Sequence, residues 1–148
     1  MKVDTWIRLR KNKTLKKIIY HMLLRKGIDI PPQVIIKKGV KFPHNSVGTV
    51  IHNNTIIEEN ARIYQNVTIG RADIYKPYKD SKMESIHIKK NAIICAGAKI
   101  LCKKGTLTVG ENSVVAANAV LLNSIGDNEL WGGIPARKLK DLKTEGDR

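Results

Sequence analysis

The chain has 148 residues and carries 27 Lys or Arg against 13 Asp or Glu, a net charge of +14. That length fits one domain, and an aromatic share of 5% with no helix-turn-helix, zinc-finger or RNA-binding motif argues against nucleic acid as the partner of the charge. Two cysteines make no disulfide framework, no apolar run reaches bilayer length and no signal peptide precedes the repeat described below, so the expected compartment is the cytoplasm.

Residues 1–27 form a basic segment in which nine Lys or Arg face Asp4 alone. Leu15, Ile18, Ile19, Met22 and Leu23 recur at helical spacing, Lys13, Lys16, Lys17, Arg25 and Lys26 take other faces or the ends, and Gly27 is a stop signal. A short amphipathic helix is predicted. It could cover an open first coil, or, with Trp6, Ile7 and Leu9, touch an anionic membrane surface from the inner side.

From Ile30 onward an aliphatic residue returns every six positions: Ile30, Ile36, Phe42; Ile51, Ile57, Ile63, Ile69; Ile88, Ile94, Ile100; Val109, Val115, Leu121. Ten of these thirteen have Val, Ser, Thr or Ala four places later. Neither a 3.6-residue period nor simple alternation yields a strict six. Six residues per flat side and three sides per coil describe a parallel β-helix, an all-β fold whose core is a stack of aliphatic ladders. The predicted division is a basic helical segment over 1–27, a β-helix over 28–140 and a charged tail over 141–148.

Three breaks must leave the stack as loops, where chemistry can sit. The first, between Phe42 and Ile51, holds His44; the second runs from Gly70 to His87; the third spans Cys102 to Thr108 and is basic. His44 and His52 are the nearest histidine pair, and neither thiol has a paired ligand motif around it, so no metal site is expected.

The stretches IDIPPQVIIKKGVKFPH, YQNVTIG, CAGAKIL and ENSVVAANAVLLN followed by GGIPARKL resemble the serine acetyltransferase branch of the hexapeptide acyltransferases. The resemblance covers nearly the whole chain beyond the amino-terminal segment. It implies a left-handed coil, acetyl-CoA as co-substrate and a homotrimer with a cofactor groove between neighbours. It also implies a catalytic histidine in the first break with an Asp fifteen positions before it, which His44 and Asp29 match. A hydroxyl is a poor nucleophile until a base takes its proton, and a carboxylate fixes the imidazole tautomer. The family's backbone oxyanion donor falls at Arg71, after Gly70, where the family has Gly. Ala96 and Ala117 match the corner residues whose amides hold the pantetheine arm. Pro135, Ala136 and Arg137 match the terminal motif near the nucleotide, where Lys138, Lys103 and Lys104 could add point charges.

The acceptor-reading positions depart from the family. Pro43 stands where serine acetyltransferases have an acidic residue, and Glu84 and Ser85 where they have an Arg-His pair. Both charges that would read an amino-acid zwitterion are lost. What remains resembles the compact hexapeptide relatives of surface-polysaccharide synthesis, and that resemblance implies O-acetylation of a sugar hydroxyl, with Tyr75, Tyr78 and His87 as further acceptor-pocket candidates. Serine O-acetylation, in cysteine biosynthesis, and a non-catalytic β-helix scaffold stay open.

Overall fold

The computed structural model describes residues 2–10 and 12–143. Two helices, α1 (Val3–Arg8) and α2 (Lys13–Leu24), precede thirteen strands. These are β1 (Ile35–Ile36), β2 (Val50–Ile51), β3 (Thr55–Ile57), β4 (Arg62–Ile63), β5 (Thr68–Arg71), β6 (Lys82–Ile88), β7 (Ile93–Ile94), β8 (Lys99–Cys102), β9 (Lys104–Val109), β10 (Val114–Val115), β11 (Val120–Leu121), β12 (Glu129–Gly133) and β13 (Ala136–Asp141). They form three parallel faces, β2-β5-β8-β11 (face A), β1-β3-β6-β9 (face B) and β4-β7-β10-β12 (face C), with β13 folding back antiparallel on β12. Asp29 bridges Val50 above face A, and Lys41 bridges Arg62 above face C. The coil is the left-handed parallel β-helix of the structures compared below.

The hexads dictate this arrangement. Ile57, Ile63, Ile88, Ile94 and Ile100 are fully buried in register along the axis, and the small fifth-place residues Ala61, Val67, Ala92, Ala98 and Ala119 fill the corners beneath them. Each buried Ile contributes roughly 1.5–3 kcal/mol. Tight corners demand left-handed backbone, which Asn tolerates best among residues with a Cβ. Asn60, Asn66, Asn91, Asn112, Asn118 and Asn128 accordingly all have φ between 55° and 58°. Stacked carboxamides reinforce one edge, Asn91 Nδ2 donating to Asn112 Oδ1 at 2.9 Å and Asn112 Nδ2 to Asn128 Oδ1 at 3.0 Å.

Three elements depart from the sequence expectation. The amino-terminal segment is two helices, and α2 buries only Ile19 and Leu23, leaving Leu15, Ile18 and Met22 exposed. The periodic stripe is wider than the coil end it covers, and α1 completes the cap with Val3 and Trp6. The third break is not a free loop: β9 pairs along β6 from Lys82↔Lys104 to Ile88↔Val109, so the second and third insertions extend face B together. After Leu121 a β12–β13 hairpin continues face C, where the sequence pattern shows no hexad. The hairpin includes Asp141, so it takes in the start of the expected 141–148 tail; residues 144–148 lie outside the described ones.

Candidate functional site

Phe42 ends the first rung of face C and Val50 begins the next rung of face A, so the first break lies on the edge between those faces. His44, Asn45 and Ser46 adopt left-handed φ of 53°, 55° and 44° in succession. Such backbone costs on the order of 1–3 kcal/mol per residue and persists only where the surroundings fix it. Here Ser46 Oγ donates to the Ile63 carbonyl, Asn45 Oδ1 accepts the Val3 N–H at 3.4 Å, and Asp4 Oδ1 caps the Phe42 N–H at 2.7 Å. The exposed imidazole of His44 stands against the Tyr64 ring, centroids 6.2 Å apart.

Below Tyr64 the same edge carries Ala96 and Ala117 on successive coils, joined by Gly97 N–H to the Gln65 carbonyl and Asn118 N–H to the Ala96 carbonyl. Ala96, Gly97, Lys99, Ala117, Asn118 and Ile134 line a groove of about 450 Å³. Gly97, at φ 73°, matters to its shape, because a Cβ there would run into Asn118 Oδ1. Pro135 follows Ile134 at the groove's foot, but the Ala136 methyl is buried in the core. The Arg137 guanidinium turns back to the Ala136 carbonyl, and Lys138 is taken by Glu129 and Asp141. Lys103 and Lys104 line a separate cavity with Ala72, Leu107 and Leu122, across face A from the Ala96 groove.

A second, larger cavity of about 840 Å³ opens on face A between α2 and the strands. Asp29, Gly70 and Arg71 line it, as do Lys17, Tyr20, His52 and Asn53. Tyr20 donates its hydroxyl to Asp29 Oδ1 at 3.1 Å, and burial followed by that bond raises the phenol above its ordinary value. Asn53 Oδ1 is buried without a partner among the described residues. Thr68 and Ala72 donate to the Ala98 and Cys102 carbonyls on the β8 side, so by strand alternation the Arg71 N–H turns to the β2 side, past the last rung, where His52 donates to the Ile69 carbonyl. That is the condition a preorganised oxyanion donor requires.

The Arg71 side chain has a different task. Its Nε donates to Asp73 Oδ1 at 2.9 Å and its Nη2 to the carbonyls of Asp73 and Lys76. Asp73 occupies a fifth-place hexad position and is only 1% exposed. Burial would raise its carboxyl, but hydrogen bonds from Arg71 and Ser81 outweigh that and hold it below the usual range. The guanidinium is thus committed to the root of the long loop and does not reach outward for a phosphate. It also lies over the Tyr78 ring at 5.1 Å, and Tyr78 stacks on His52, centroids 6.1 Å apart and planes 11° apart.

The sequence reading weighs His52 only as a metal ligand and passes over Asp73 and Tyr20, since neither carries a motif. His52 accepts the Asn54 N–H on Nδ1 at 3.1 Å, which leaves its proton on Nε2, and burial, then the Arg71 charge, lower its pKa from 6.5. Its imidazole is expected to titrate below 6.5 by NMR, with its share of stability present above the unfolded-state value and lost as pH falls beneath it. A midpoint above 6.5 would show that Tyr78 and Arg71 do not enclose it in solution.

Other expected partners stay apart. Asp29 and His44 share no hydrogen bond among the described residues. Glu84, Ser85 and His87 lie on β6 in face B; Glu84 accepts Asn54 Nδ2 through its carbonyl and Ser85 pairs with Thr106 Oγ1 at 2.8 Å. Neither their side chains nor Tyr75, exposed under Lys76, line the face A cavity. Among the described residues no three His, Cys, Asp or Glu side chains converge as a metal site.

The fold and edge groove define a left-handed hexapeptide β-helix protein. No family model matches the chain. A Schizosaccharomyces pombe protein provisionally named a serine acetyltransferase is 40% identical over 111 residues, 75% of this chain and 38% of the relative. The serine acetyltransferase of Haemophilus influenzae is 34% identical over 110 residues, again 38% of the relative. Among solved structures, Neisseria gonorrhoeae serine acetyltransferase superposes with a TM-score of 0.74 at 24% identity, covering 95% of this chain and 51% of that one. A serine acetyltransferase complexed with CoA gives a TM-score of 0.64 at 26% identity, covering 85% and 55%. The chain therefore matches the β-helix of serine acetyltransferases over about two fifths to half of their length.

Proposed function

We propose that the protein is an O-acetyltransferase that moves the acetyl group of acetyl-CoA to a hydroxyl, with His44 as general base. The single observation that carries this reading is the edge itself. His44 is held in strained left-handed backbone at the head of a line of small corner residues, Ala96 and Ala117, along a groove that suits a narrow pantetheine arm. Acetyl-CoA laid along that edge would present its thioester toward His44.

The Arg71 N–H lies across face A from this edge, and four extended residues from Thr68 to Arg71 span about 13 Å. A second chain must bring its edge to that face for base and oxyanion donor to meet. This supports a homotrimer of parallel prisms, each of five coils rising about 24 Å. A stable, fully active monomer in light scattering would overturn it.

For the acceptor, the relatives named above favour serine over the sugar that Pro43, Glu84 and Ser85 suggest. The sugar reading also loses support because Glu84 and Ser85 sit on face B, outside the Asp29 and Arg71 cavity of the same chain. Steady-state release of CoA thiol, with serine and then nucleotide sugars as acceptors, tests the choice. Serine is expected to be the faster by several powers of ten in kcat/KM. A sugar outrunning serine reverses the assignment, and no turnover with any acceptor leaves a scaffold.

A further inference from the structure

We propose that the α1–α2 end of the prism docks on an anionic phospholipid surface. Leu15, Ile18 and Met22 recur on one side of α2 and are only partly covered, at 38%, 51% and 37% exposed. The helix therefore has one broad apolar stripe, whose Ile19 and Leu23 flank is buried on the coil and whose Leu15, Ile18 and Met22 flank emerges at its rim. Leu9 and Leu24 add further exposed aliphatic side chains at the helix ends.

Charge selects the occupant. Lys2, Arg8, Lys13, Lys17, Arg25 and Lys26 are all exposed, and no ion pair among the described residues neutralises any of them. The one acid of this segment, Asp4, is spent on the Phe42 N–H. A second copy of the same face would bring the same uncompensated charge against it, so self-association is disfavoured. Nucleic acid would want exposed rings for stacking, yet Trp6 is buried and Tyr20 is held by Asp29. Aliphatic side chains flanked by unpaired cations fit acyl chains beneath anionic headgroups. No helix among the described residues is long and apolar enough to cross a membrane, so the contact lies in the interface plane. Lys17, Tyr20 and His21 of the same helix line the face A cavity, so docking would place that cavity beside the lipid surface.

The test is co-sedimentation of the full chain with phosphatidylcholine vesicles made with and without phosphatidylserine, beside a polyuridylate binding assay and light scattering. Binding only to the phosphatidylserine vesicles, weakened by salt and reduced about tenfold or more in Ile18→Ser/Met22→Ser and in Lys13→Glu/Arg25→Glu, is expected. Both variants should keep the parent's thermal midpoint within a few degrees and its oligomeric mass, because Ile18 and Met22 lie outside the buried core and Lys13 and Arg25 form no ion pair among the described residues. Vesicle binding that is absent, indifferent to phosphatidylserine or unchanged in the variants overturns the proposal. So does a fall in oligomeric mass for Ile18→Ser/Met22→Ser, which would mark the stripe as an interface between copies, or tight polyuridylate binding without vesicle binding. None of these readings depends on the acceptor or on turnover, so failure here leaves the acetyltransferase reading standing.

Discussion

His44→Ala is expected to lower turnover about 10²- to 10⁴-fold while acetyl-CoA binds as before, because the imidazole acts on the acceptor's proton and not on the cofactor. His44→Asn is the cleaner variant. Asn accepts left-handed backbone readily, so it should hold the φ of 53° and the Asn45 and Ser46 contacts while removing the base. Equal losses in both variants, with an unchanged thermal midpoint, would assign the effect to chemistry. Asp29→Asn adds a second reading of the same site. If Asp29 orients His44 in the assembled enzyme, turnover falls with it; if Asp29 only receives Tyr20, turnover stays near the parent's. Parental turnover in both His44 variants would remove the general-base assignment altogether.

The coil was legible because its physics is local and repeated. An inward Ile every six residues and a small residue behind it leave one way to bury both, and Asn or Gly marks the corners. The edge that groups His44 with Ala96 and Ala117 follows directly from that register, as all three fall between faces C and A. What broke the repeat was harder to read. Lys104 to Thr108 lacks the hexad phase, yet it runs into Val109 as β9 because the longer β6 offers it a partner, a pairing between distant insertions that no local pattern announces. The β12–β13 hairpin is similar, stabilised by Glu129, which binds Trp131 Nε1, the Gly126 N–H and Lys138.

The site divides in the same way. Side chains fixed by the register could be placed from sequence, whereas those fixed by loop packing could not. Asp73 sits where the hexad calls for a small residue, and that irregularity was the one available signal that something polar is buried there. Its partner Arg71 was legible only as a departure from Gly; that its side chain turns inward depends on the loop from Ala72 to Ser81 folding over it. His52 acquires its enclosed position from Tyr78 in that same loop. Whether Asp29 and His44 meet depends on contacts beyond one chain's repeat, which spacing alone does not supply.

Arg71→Gly separates the two tasks of that residue. Removing the guanidinium, whose side chain is 11% exposed, breaks a buried ion pair and its bonds to the Asp73 and Lys76 carbonyls, a loss of about 3–5 kcal/mol in denaturant unfolding. Adding Asp73→Ala should restore part of that loss, because the double variant leaves no unpaired buried charge. Turnover should behave differently. The backbone N–H survives the substitution, so the folded fraction measured at low temperature should keep kcat within a few-fold of the parent. A loss nearer 10²- to 10³-fold, on the scale of a missing oxyanion donor, would instead show that the guanidinium itself reaches the reacting oxygen. Arg71 would then have to leave Asp73 in the working enzyme, and the double variant would recover stability without recovering turnover.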